Sequence, residues 1–129
     1  MQYYQIRNLK ENDIRTVRMK VEAALKKEGF GILTEIDIQS VMKQKLNKQY
    51  LPHVILGACN PSYADKVLTL DPRISTLLPC NVTIRQLESG ETEVAVMDPS
   101  AVMSIVGNTE LETYANEVRE KLSSVLDSL

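Results

Sequence analysis

Two cysteines, each followed by an asparagine, are the side chains of this 129-residue chain best suited to chemistry. The first pair lies in Gly57-Ala58-Cys59-Asn60-Pro61 and the second in Leu78-Pro79-Cys80-Asn81-Val82. Asn60-Pro61 combines a capping side chain with proline at a first helical position, so a helix is expected to start there. Cys59 then lies just outside a helix N-terminus, where free backbone N–H groups and the positive dipole end favour a thiolate or a bound anion. Gly57 would let backbone or ligand approach closely, and Cys80-Asn81 opens a strand. Two such pairs at strand ends can converge on one pocket. The candidate ligand-binding set is Asp37, Gly57, Cys59, Asn60, Cys80 and Asn81, with no catalytic residue assigned. A structural reading stands beside it: cysteine is among the most buried residue types, and capping alone explains Asn60.

Other constellations offer less. Glu35 and Asp37 would share one strand face, as carboxylates dividing acid and base work must; equally, Asp37 can cap a helix and Glu35 can face water. His53 is the single histidine, without partners at triad or zinc spacing, and no metal site is expected. Cys59 and Cys80 do not form a Cys-x-x-Cys redox motif. No G-x-G-x-x-G, G-x-x-x-x-G-K-[ST] or G-x-S-x-G is present, so no motif names a cofactor.

A chain of this length fits one domain, residues 1–129, that folds without disulfide or metal. Net charge is −2, with no Trp and one Phe, which argues against a nucleic-acid partner. The charge is uneven, at +4 over residues 1–50 and −6 over residues 51–129, giving oppositely charged surfaces or a basic face that docks on an acidic one. No apolar run reaches the roughly 18 residues of a membrane span, and the start of the chain lacks the pattern of a signal peptide. A cytoplasmic location, with reduced cysteines and no membrane contact, is the expectation.

The elements that must position these residues follow from periodicity and punctuation. A strand is expected over Gln2–Ile6, then a helix from Asp13 to Glu28 capped by Asn12, with Val17, Val21 and Leu25 inward and Gly29 as its left-handed stop. Gly31–Asp37 alternates as a strand, with Ile32, Thr34 and Ile36 on one face. Asp37 caps a short helix through Ile38, Val41, Met42 and Leu46. Val54–Ala58 is a buried strand, and the helix begun at Pro61 ends before Pro72. Strands from Cys80 to Leu87 and Glu91 to Met97 form a hairpin around Gly90, with Val82 facing Val96, Ile84 facing Val94 and Arg85 facing Glu93. Asp98-Pro99 starts a short helix, and Thr109–Glu112 is a capping box for the last one, striped by Leu111, Val118, Leu122 and Val125. The order β-α-β-α-β-α-β-β-α-α describes an α+β fold with a mixed or largely antiparallel sheet and helices mainly on one face.

Three stretches read together, GFGILTEIDIQSVMKQK over Gly29–Lys45, VILGACNP over Val54–Pro61 and LLPCNV over Leu77–Val82, resemble the family known as domain of unknown function 302. The resemblance implies a compact α+β fold and homodimers, and it implies no activity. Many members carry a histidine after the aspartate matched by Asp37; here Ile38 stands there, so no Asp-His role carries over.

The functional expectation is a non-enzymatic binding domain for a small anionic ligand or metabolite near the two Cys-Asn segments. The alternatives are thiol-dependent redox or transferase chemistry through Cys59, and a structural module that forms homodimers.

Overall fold

A computed structural model describes residues 2–129. Its strands are β1 (Tyr4–Leu9), β2 (Gly31–Asp37), β3 (His53–Cys59), β4 (Cys80–Gln86) and β5 (Thr92–Met97). Its helices are α1 (Ile14–Lys27), α2 (Ile38–Leu46), α3 (Pro61–Leu70), α4 (Pro99–Met103) and α5 (Thr109–Asp127). They run in the expected order, with a 3-10 helix over Pro72–Leu77 that the sequence did not announce. The sheet order is β1-β5-β4-β3-β2, and every neighbouring pair is antiparallel.

One sheet face carries the core. Leu56, Ala58, Val82, Ile84, Val94 and Val96 point from the three central strands into a cluster closed by Val17, Val21 and Leu25 of α1 and by Leu122, Val125 and Leu126 of α5. The hairpin holds the expected register, with Ile84 and Val94 buried and Gly90 at φ +92°. Outside it, Arg85 Nε and Nη2 donate to the two oxygens of Glu93 at 2.9 and 3.1 Å, a bidentate pair. The α1 stop is equally legible. Gly29 takes φ +87°, and the N–H of buried Phe30 donates to the Leu25 carbonyl at 2.9 Å.

Four expectations are corrected. The first strand runs from Tyr4 to Leu9 rather than Gln2–Ile6, because Arg7 can point inward: its Nη1 donates to the carbonyls of Leu126 and Asp127, both at 2.8 Å, at the end of α5. Asp13, not Asn12, caps α1, accepting from the Arg15 N–H. Asn108, not Thr109, caps α5, accepting from the N–H groups of Glu110 and Leu111. A bulge between Ile32 and Thr34 shifts the β2 register, so Ile32 faces the helices with Glu35, while Thr34 and Ile36 face the opposite side.

Candidate functional site

Antiparallel pairing of β3 with β4 sets Ala58 opposite Cys80, which brings Cys59 and Cys80 to the same end of the sheet. Both line a slot between that sheet end and the helices, walled by Tyr63 and Val67 of α3, Met103 of α4, and Tyr114 and Val118 of α5. The lining is almost entirely apolar and encloses a void of ≈ 50 Å³. A dry cavity that takes up benzene is about three times larger, at ~150 Å³. Met103, flexible and buried, is the side chain best able to give way.

The six residues singled out from the sequence do not all meet here. Cys59, Asn60 and Cys80 line the slot. Gly57 and Asn81 are paired across β3 and β4 and face the other side of the sheet. A Cβ at Gly57 would collide with Thr34 Oγ1 and Pro79, so this glycine lets β2 and the segment before β4 close on β3. Asp37 pairs with Val54, at the opposite end of β3, and its carboxylate accepts from the Ser40 N–H to cap α2. Glu35 accepts from Arg18 Nε and Nη2 at 2.8 and 2.6 Å, and this ion pair ties β2 to α1.

Asn60 has an unexpected partner. Its Nδ2 donates to the Glu28 carbonyl at 3.2 Å and so fastens the end of α1, leaving the first turn of α3 without a side-chain cap. Pro61 has no N–H and the Ala64 N–H donates to the Asn60 carbonyl at 2.9 Å, so the N–H groups of this turn without a side-chain cap are those of Ser62 and Tyr63, and Tyr63 lines the slot together with Cys59 and Asn60. On the same helix, Lys66 Nζ lies 5.0 Å from the Tyr63 ring centroid and 5.4 Å from that of Tyr114. These two rings meet edge to face at 6.3 Å, so the ammonium stands over aromatic walls of the slot. The Tyr63 phenol is pushed above its ordinary range by burial and then by the Glu117 carboxylate, and it stays a neutral hydroxyl.

The slot depends on the corner that holds α4. Burial alone would raise the Asp98 carboxyl, but hydrogen bonds from Ser100 Oγ at 2.6 Å, Arg119 Nε at 3.0 Å and the Ser100 N–H at 3.0 Å outweigh it, and the group is held below its usual range. Asp98 therefore caps α4 and joins it to α5 at once.

Burial pushes the Cys80 thiol up from 9.0 to about 11, with neighbouring Cys59 as a lesser cause, so Cys80 is an uncharged thiol at neutral pH. Its raised folded value means that the unfolded chain loses this proton first. The contribution is therefore whole below pH 9.0 and declines as pH rises to about 11. Across that window the wild type should lose about 2–3 kcal/mol more stability than Cys80→Ala, read from urea unfolding at several pH values. Parallel pH profiles of the two proteins would show Cys80 ionising as freely folded as unfolded.

Among the described residues, no group of three or more His, Cys, Asp or Glu side chains is placed to hold a metal, and no helix is long and apolar enough to cross a membrane. The family model described as "Domain of unknown function DUF302" matches residues 6–129. The chain is similar to a crystal structure of an uncharacterized conserved DUF302 protein from Bacillus stearothermophilus, with a TM-score of 0.92 and 24% identity over 99% of this chain and 98% of that one. At that identity the likeness shows a shared fold. No curated protein matches the chain.

Proposed function

The chain belongs to the DUF302 family, and from that premise we propose that it is a binding domain for a small organic anion with an apolar body. The observation that carries this reading is the pairing of an apolar slot with an uncapped helix start at its rim. The apolar body enters the slot against Ala58, Cys80 and Val118. The anionic group accepts from the first-turn N–H groups of α3, where the dipole also favours negative charge. Lys66, over Tyr63 and Tyr114, adds positive charge on the same side. The thiols form part of the floor, and Cys80 serves there as an apolar surface.

Short aliphatic carboxylates test the reading. In a thermal-shift series from acetate to octanoate, a chain of middle length should stabilise the protein, by about 2.7 kcal/mol at a hundredfold excess over Kd. The matching alcohol should stabilise it less, and Lys66→Met should weaken the carboxylate more than the alcohol. Equal shifts from acid and alcohol, or none across the series, would overturn the proposal.

A further inference from the structure

Cys59 and Cys80 are the two sulfur nucleophiles of the slot, and the ladder between β3 and β4 sets how far apart they stand. Ala58 lies directly opposite Cys80. Opposed Cα atoms of an antiparallel pair are ~4.5–5.5 Å apart, and Cys59 is one residue, ~3.3 Å, further along. The two cysteine Cα atoms are therefore ~6 Å apart, inside the ~4.4–6.8 Å that a disulfide spans. Strict alternation would turn Cys59 to the other sheet face, with Gly57. β3 ends at Cys59, however, and the chain leaves it through Asn60 into α3, so Cys59 lines the same slot as Cys80. The Cys80 thiol is raised by burial and then by Cys59 itself, as two sulfurs held side by side require. Both are free thiols.

Their surroundings divide the work between them. Cys59 is half-buried and Cys80 is buried, so a soluble reagent reaches Cys59 first. With its thiol pushed up to about 11, Cys80 is thiolate to only about one part in ten thousand at neutral pH. It is slow towards reagents from outside, yet a sulfur held beside it meets it at the high effective concentration of an intramolecular reaction. The loop between the two cysteines carries α3, whose Tyr63, Ala64 and Val67 form one wall of the slot.

We propose that Cys59 and Cys80 form a reversible dithiol–disulfide couple, oxidised by low-molecular-weight disulfides, whose bond locks the slot. The Cys59 thiolate attacks one sulfur of the reagent RSSR, forms a mixed disulfide with it and expels one thiolate RS⁻. Cys80 then loses its proton to water, attacks the Cys59 sulfur and expels the second RS⁻. Each RS⁻ takes up a proton, so two protein thiols and one RSSR become one protein disulfide and two RSH. The protein is oxidised by two electrons and the reagent is reduced by the same two. Closing the bond draws the sulfurs to ~2.05 Å and ties the start of α3 to β4. The void of ≈ 50 Å³ must widen to take an apolar body, and a fixed α3 wall prevents that. The lock rests on the proposed ligand, whereas the pairing of the thiols does not.

Oxidised glutathione is the probe, followed by unfolding with an alkylating reagent and mass spectrometry. The wild type should lose both alkylatable thiols, weigh less by two hydrogens and retain no glutathione, and dithiothreitol should restore both thiols. Cys80→Ser should stop with one glutathione held on Cys59, and Cys59→Ser should react about tenfold more slowly or less. By titration calorimetry, the oxidised wild type should bind hexanoate about tenfold more weakly than the reduced protein, because its binding-competent form is depleted. The same treatment should leave hexanoate binding by Cys59→Ser unchanged. A wild type that keeps both thiols, stops at the mixed disulfide or links two chains would overturn the couple. Oxidised protein that binds hexanoate as well as reduced protein would overturn the lock. Reduced protein that ignores hexanoate would strike the proposed ligand instead, and the mass alone would then decide the pairing.

Discussion

Leu122→Ala is expected to destabilise the protein by about 2–5 kcal/mol, the usual cost of a buried leucine deletion where the surroundings cannot collapse. Leu122 is completely buried on α5, in the cluster that joins this helix to α1 and the central strands. It touches two layers at once, so neither α1 nor the sheet can close the gap without breaking other contacts. Denaturant unfolding would give the loss as a lower midpoint with an unchanged slope. A change within experimental noise would mean that α5 does not help close the core.

Met103→Ala should cost a similar amount, about 2–5 kcal/mol, with a different consequence for binding. Met103 is buried in a second apolar cluster with Val67, Ile74, Leu111 and Ala115, and it also borders the slot. Removing it enlarges a void of ≈ 50 Å³ towards the size that accepts a small apolar body. The variant should therefore be less stable yet bind hexanoate more tightly than wild type, as titration calorimetry would show. Leu122→Ala, which does not border the slot, should lose stability without gaining affinity. Loss of binding in Met103→Ala, in a protein still folded, would place the ligand elsewhere.

What could be read from the sequence was local. The hairpin register follows from Gly90 and the alternation on either side of it, and the α1 stop from Gly29 and Phe30 alone. The features that escaped depend on distant parts of the chain. β1 continues past Ile6 because the carbonyls at the end of α5 receive Arg7. The β2 bulge becomes visible only against β3, and Asn60 serves a carbonyl 32 residues earlier instead of its own helix.

The candidate site was legible to the same extent. Cys59 and Cys80 meet because each stands at the end of its strand, next to a break that the sequence marks. Asn81 faces away from Cys80 because neighbouring residues of a strand point to opposite sides, and Asp37 is remote because β2 and β3 run antiparallel. Tyr63, Lys66, Met103 and Tyr114, the last of them part of the inward stripe of α5, belong to no motif that marks a site. Their helical spacing signalled only packing, and it took α3, α4 and α5 folded together to make walls of them.

The most direct measurement is a titration of ¹⁵N-labelled protein with hexanoate, followed by amide chemical shifts. The binding reading predicts saturable shifts at Ser62 and Tyr63, whose N–H groups open α3, and at Cys80 and Val118 around the slot. Little should happen at Thr83 or Ala95 on the opposite face of the sheet. Shifts confined to that face, or an absence of saturable shifts at the start of α3, would contradict it.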